Sequence, residues 1–125
     1  MSIRRLAVLA VIVVAGCSKV HHQTSFDVDT GGSHSVEVSA PLSEQTVKVV
    51  TTSDQPVNVW ILLDKHLGEM KDDFNPETLK EGVLAKEKGT KDSTLTATIP
   101  AKEKYRVFIN GAQKKANVTV KIDSQ

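Results

Sequence analysis

Apolar residues fall at every second position along most of this 125-residue chain. Successive side chains of a β-strand point to opposite faces, so each such run places its apolar residues on one face of a sheet. Turn-forming residues separate the runs, as at Gly31-Gly32, Ser53-Asp54-Gln55-Pro56 and Asn110-Gly111. The pattern predicts an all-β fold, a two-sheet antiparallel β-sandwich of about seven strands within residues 25–123. The runs lie at 26–28, 36–40, 47–49, 57–63, 95–99, 105–109 and 118–122.

The segment 64–92 interrupts this pattern, because it is rich in charge and shows no alternation. Within it, Asn75 and Pro76 have the residue types of a helix N-cap and a first helical position. Gly82 would end such a helix after about two turns. The sequence therefore predicts a long loop insertion that carries one short helix.

The predicted strand 56–63 is apolar on both faces, since Trp60 and Leu62 alternate with Val59 and Ile61. Phe108 has the same outward parity in a later strand, so these residues form an apolar patch outside the core if the strands are neighbours. We expect the segment 64–92 to cover this patch; the alternative is that it is a partner surface. The patch would consist of Trp60, Leu62 and Phe108, and the covering residues would be Phe74, Leu79 and Leu84.

The amino terminus has a separate character. Arg4 and Arg5 precede nine apolar residues at 6–14, which would rise about 14 Å as a helix against roughly 30 Å of bilayer hydrocarbon. This is the build of a signal peptide and not of a permanent membrane span. The following string, Val14-Ala15-Gly16-Cys17, resembles the lipobox of bacterial lipoproteins.

The lipobox resemblance implies cleavage before Cys17 and attachment of lipid, including a diacylglyceryl thioether, to that cysteine. Residues 1–16 would be the signal peptide, and 17–24 the lipidated cysteine and a short tether. The protein would be anchored in the cell envelope, with the membrane as its first partner. Ser18, where related inner-membrane lipoproteins carry aspartate, favours the periplasmic face of the outer membrane if the cell is Gram-negative.

A second resemblance concerns the domain itself. The strings 56–64 and 99–109, the latter with Tyr105 inside a strand, resemble the later strands of bacterial pre-peptidase C-terminal domains. Lys102 and Lys104 lie just ahead of that tyrosine, where a glycine is usual in the family. The resemblance implies a non-catalytic β-sandwich module, and it assigns no functional residue.

Composition excludes several function classes. Without Arg4 and Arg5 the chain keeps 14 of its 16 basic residues against 15 acidic ones, so it lacks the basic excess of a nucleic-acid binder. Its single cysteine excludes an intramolecular disulfide and multi-cysteine metal sites. Neither a nucleophile elbow nor a converging acid–base pair is evident, so we expect no catalytic residues, no enzyme activity and no cofactor.

The sequence contains three weak metal motifs, and none of them predicts a metal site. The pair His21-His22 lies in the predicted tether without a third ligand, His66 and Met70 have Gly68 between them, and Asp27-Val28-Asp29 lacks the closing glutamate of a calcium loop.

The leading hypothesis is therefore a non-enzymatic, membrane-anchored lipoprotein that binds or organises another envelope component, either a protein or a polymer. The alternative is an inhibitor or accessory subunit of a periplasmic peptidase that acts through the segment 64–92.

Overall fold

The computed structural model describes residues 20–69, 76–79 and 81–125. Asp64–Glu69 and Pro76–Thr78 are short 3-10 helices. No helix in the described part of the chain has the length and apolar character needed to cross a bilayer. The prediction of an all-β fold is confirmed: the strands are β1 His21–Val28, β2 Ser33–Val38, β3 Gln45–Leu63, β4 Val83–Ile99, β5 Tyr105–Asn110 and β6 Ala116–Ser124.

The strands form one antiparallel sheet in the order β1-β6-β3-β5-β2, and β4 pairs with β3. The long strand β3 changes partner along its length: residues 47–53 pair with β6, and residues 58–63 pair with β5. β4 pairs with β3 on both sides of this change, with shifts in register between Thr52 and Val57. The sheet therefore has a first half around β1 and β6 and a second half around β5 and β2.

The two halves fold toward each other around one hydrophobic core. Inward residues of all six strands belong to a single buried cluster, including Val28, Val38 and Ile122. The two ends of the strand order also meet, since the rings of Phe26 in β1 and His34 in β2 are stacked with centroids 3.8 Å apart. The sheet thus curls into a sandwich-like shape, but it is continuous and not the two separate sheets that we expected.

The strand count differs from the prediction because Ser53-Asp54-Gln55-Pro56 is a bend inside β3 and not a loop between strands. β4 likewise begins at Val83, so the connection after β3 is residues 64–82 and not 64–92. Residues 86–89 of β4 are exposed, which explains why this half of the strand shows no apolar alternation.

Two further boundaries need correction. Instead of a two-turn helix, the described part of the connection holds the three-residue 3-10 turn Pro76–Thr78, with the Leu79 N–H donating to the Pro76 carbonyl at 3.0 Å; Asn75 lies outside the described residues. β1 begins at His21, so residues 21–24 belong to the sheet and not to the tether. Ser124 holds this start, because its N–H donates to the Val20 carbonyl at 2.9 Å.

A second, smaller core lies on the outer face of the second half. Trp60 is only 1% exposed and is clustered with Leu62 and Phe108, and Leu79 and Val83 pack against them. The Trp60 indole N–H donates to Asn110 Oδ1 at 3.1 Å. We call this group the outer core; its members are Trp60, Leu62, Phe108, Leu79 and Val83.

The outer core confirms that the chain itself covers the apolar patch. Trp60, Leu62 and Phe108 are therefore not a partner surface, because their apolar area is already buried inside the molecule. Leu79 contributes as expected, but Leu84 packs against the main core and Val83 takes its place. Phe74 lies outside the described residues.

Replacing Trp60 with alanine should lower the free energy of unfolding by about 3 kcal/mol or more, because a large buried side chain leaves a cavity. Trp60→Phe is the matched control: it keeps most of the ring volume, loses the hydrogen bond to Asn110, and should cost clearly less. Urea unfolding measures both. Native tryptophan emission at the wavelength of free indole, together with little loss of stability in Trp60→Ala, would contradict a buried outer core.

Candidate functional site

The molecule has two distinct ends, set by the path of β3. At one end, the bend end, lie the turn 29–32, the bend 53–56, residues 88–91 of β4 and the loop 111–115. The opposite end, the open end, holds Val20, the connections 39–44 and 100–104, the two ends of the connection 64–82, and the last residues of the chain. The two connections join strand ends of the two halves and contact each other, since the Lys102 N–H donates to the Pro41 carbonyl at 2.7 Å.

A cleft of about 430 Å³ opens at the bend end. It is formed where β3 changes partner, so residues from β3, β4 and the loop after β5 meet there although they are distant in sequence. The lining residues are Gln55, Pro56, Asn58, Gly89, Gly111, Gln113 and Lys114.

Side chains replace backbone pairing where the ladder is interrupted, because buried or crowded polar backbone groups need partners. The Ser53 hydroxyl accepts from the Gln55 N–H at 3.2 Å, and Thr90 accepts in the same way from the Asp92 N–H at 3.2 Å. Asp54 Oδ1 accepts from the Asn117 N–H at 2.9 Å. These contacts connect the bend with β4 and β6 beside the cleft.

Asn58 is fixed at the floor of the cleft. Its Oδ1 accepts from the Gly89 N–H at 2.9 Å. Gly111 has φ +81°, which favours glycine, and a Cβ at this position would clash with Asn58 Nδ2. The cleft is therefore shaped by the absence of a side chain at Gly111, and the Asn58 amide is held in place before any ligand arrives.

The polar groups of the cleft are mainly side-chain amides. The amides of Gln55, Asn58 and Gln113 supply neutral donors and acceptors, and Lys114 supplies one cation. No carboxylate, imidazole or thiol is among its lining residues. The lining can therefore form hydrogen bonds with a polar ligand through neutral amides and one ammonium group.

The residues singled out in the sequence have other structural roles. Cys17 lies outside the described residues, as does Met70. His21 and His22 are neighbours in β1 and so point to opposite faces, His21 pairs with Asp123 at 2.9 Å, and burial lowers the pKa of His22. Asp27 Oδ1 accepts from Asn117 Nδ2 at 3.0 Å. The described residues contain no group of three or more potential ligands able to hold a metal.

One polar network was missed by the sequence analysis. Arg106 donates to Asp64 Oδ1 at 2.7 Å, to Ser35 Oγ at 3.1 Å and to Glu37 Oε2 at 3.0 Å. It thereby ties β5 to β2 and to the end of β3. Through these three hydrogen bonds the arginine links the three segments across the outer face.

No family model matches the chain, and no curated protein matches it in sequence. Several solved structures share its fold at 6–12% identity. A periplasmic inhibitor of g-type lysozyme, PliG from Aeromonas hydrophila, is 12% identical, with TM-score 0.54 over 93% of this chain and 95% of that one. The pre-peptidase C-terminal domain of a Bacillus anthracis collagenase is 6% identical, with TM-score 0.52 over 82% and 89%.

The third similar structure is the module TmCBM61 in complex with β-1,4-galactotriose, at 12% identity and TM-score 0.51 over 82% of this chain and 69% of that one. At these identities the similarity concerns the fold alone. It confirms, at the level of the fold, the resemblance to pre-peptidase C-terminal domains.

Gly111→Ala should disturb both the stability and the cleft. A left-handed φ costs alanine about 1 kcal/mol, and the clash with Asn58 should add roughly 1–3 kcal/mol. Gly89→Ala is the matched control, because Gly89 also has a positive φ, +65°, but nothing lies within 4 Å of its added Cβ. Urea unfolding of both variants isolates the contact with Asn58. Equal losses would show that Gly111 does not shape the cleft.

Proposed function

We propose that this protein is a lipid-anchored, non-enzymatic binding module of the bacterial cell envelope, and that the cleft at the bend end is its ligand site. The observation that carries the proposal is that the cleft lies at the end of the fold opposite to Val20, the first described residue after Cys17 in the sequence. Val20, the third residue after Cys17, is hydrogen-bonded to Ser124 at the open end, whereas the cleft lies at the bend end.

The distances make this arrangement effective. Three residues span at most about 11 Å, so a lipid on Cys17 would hold the open end close to the bilayer. β1 has eight residues from His21 to Val28, and at about 3.3 Å per residue it separates the two ends by roughly 26 Å. The cleft would therefore face away from the membrane, toward polymers and proteins of the compartment.

The lining of the cleft favours an oligosaccharide or glycan strand as the ligand. Hydroxyl and acetamido groups are neutral and both donate and accept hydrogen bonds, as the amides of Gln55, Asn58 and Gln113 do. The complex of TmCBM61 with galactotriose shows that this fold accommodates a glycan in another protein. No aromatic ring lines the cleft, so single-site binding would be weak and would gain from many anchored copies meeting one polymer.

A second function is favoured by a different observation. The fold of PliG, a lysozyme inhibitor, matches almost the full length of both chains. The sequence alternative, an inhibitor or accessory subunit of a periplasmic peptidase, places the contact in the segment 64–92, but residues 83–92 are part of β4, and Leu79 packs in the outer core. An inhibitory contact through the described part of the connection would therefore use exposed residues such as Glu77, which pairs with Lys88.

The double variant Gln55→Ala/Gln113→Ala should bind peptidoglycan sacculi roughly 30-fold more weakly than the wild type, because each lost neutral hydrogen bond costs about 1 kcal/mol. The measurement is co-sedimentation of the detergent-solubilised lipoprotein with sacculi over a range of concentrations. Gln23→Ala is the matched control: it removes an exposed glutamine from β1, outside the cleft.

Equal binding by the double variant and the control would overturn the assignment of the cleft. A wild-type protein that does not sediment with sacculi would overturn the proposed ligand. If that protein instead inhibits g-type lysozyme at stoichiometric amounts, the second function replaces the first.

Cys17→Ala should abolish the lipid modification, because the thiol that carries the diacylglyceryl group is removed. We expect the variant to lose metabolic labelling by radioactive palmitate and to be either unprocessed or released from the membrane fraction. Ser18→Ala is the matched control and should be labelled normally. Normal processing and membrane partitioning of Cys17→Ala would contradict the lipid anchor.

A further inference from the structure

Leu42 is the only large hydrophobic residue among those described that is strongly exposed, with 66% of its surface accessible. Elsewhere the fold buries its large apolar side chains in the main core or in the outer core, and the chain even covers Trp60 on the outer face. An exposed leucine on an otherwise polar surface does not require explanation by itself. Its position does.

The backbone beside Leu42 is held firmly. Pro41 is buried, and its carbonyl accepts the 2.7 Å hydrogen bond from Lys102 that joins the two connections of the open end. Lys102 itself has φ +66°, the left-handed conformation that completes this contact. The leucine side chain is therefore exposed on a bend that follows the buried, hydrogen-bonded Pro41.

Leu42 also lies at the end where the chain leads toward Cys17. The Thr46 carbonyl accepts from the Gln125 N–H at 2.9 Å, and the neighbouring Ser124 bonds to Val20. β1 and β3 are separated by β6 alone, so the start of the fold is two strand spacings, about 10 Å, from the start of β3. Leu42 precedes that start by a few residues.

We infer that the open end docks on the bilayer surface and that Leu42 inserts among the lipid headgroups. This inference rests on the proposed anchor at Cys17, which would leave three residues before the fold and so hold the open end against the membrane. Lys102 and Lys104 are exposed here and suit anionic phospholipid headgroups; of the two glutamates in these connections, Glu103 is paired with Lys65 and Glu44 is exposed. Anchor, leucine and lysines together give contact at more than one point, which fixes the orientation of the molecule.

A fixed orientation has a consequence for the cleft. A module held by the lipid alone could tilt on its short tether and bring the cleft against the membrane. Contact through Leu42 on the opposite end opposes that tilt, so the cleft stays exposed to the compartment. The open end is thus a positioning surface for the ligand site.

The test uses the single cysteine of the sequence. Its thiol is consumed by lipid in the processed protein, so Leu42→Cys introduces the only free thiol, which can carry a nitroxide spin label. The intact lipoprotein is reconstituted at low density into vesicles of phosphatidylethanolamine and phosphatidylglycerol. Lys91→Cys is the control, since Lys91 is exposed at the bend end. Mass spectrometry of the intact protein first confirms the lipid on the sample.

Collision of the label with a water-soluble nickel chelate should be several-fold less frequent at position 42 than at position 91, and collision with oxygen more frequent. Equal nickel accessibility at the two positions in lipidated protein would overturn the docking and leave the anchor intact. Dipolar broadening between labels at position 42 would mean that two copies contact each other there, which also overturns it. A protein without lipid would instead refute the proposed anchor.

Discussion

Pairing of β3 on both edges, on either side of the bend at 53–56, is the constraint on which the rest of the structure depends. Its first half lies between β4 and β6, and its second half between β4 and β5. A strand of 19 residues would extend about 60 Å if it were straight, far beyond the size of one small domain. The bend at 53–56 resolves this, and it brings the inner faces of both halves onto one core.

The bend also determines where a binding site can form. Paired strands satisfy each other's backbone groups, so a cavity between them requires an interruption of the ladder. Here the interruption lies between Thr52 and Val57, and Ser53, Asp54 and Thr90 supply the missing partners. These side-chain hydrogen bonds limit the free-energy cost of the irregularity. Asn58, Gly89 and Gly111 line a space that regular pairing would have closed.

The sequence could predict those features that depend on the local pattern. Alternation identified the all-β fold, and the parity of Trp60 against Ile61 identified a second apolar face that needed a cover. Prediction from the sequence failed where long-range strand pairing overrides local composition. Residues 53–56 have turn chemistry but lie within a strand, and the lysine-rich start of β4 is a strand because β3 pairs with it. His21 to Thr24 are polar and yet pair with β6, which no apolar pattern could reveal.

The cleft could not be predicted, because Asn58, Gly89 and Gly111 are brought together by register and not by spacing in the sequence. Asn110-Gly111 was visible as a turn, but its contact with Asn58 depends on the pairing of Asn58 with Asn110 across β3 and β5. The same register also places the cleft at the bend end, where β1 ends and β6 begins. Strands β1 and β6 run the full distance between the two ends and share the main core, so they form a stiff connection between them. An attachment at the open end therefore determines the direction in which the cleft faces. The orientation of the molecule thus decides which ligands can reach the cleft.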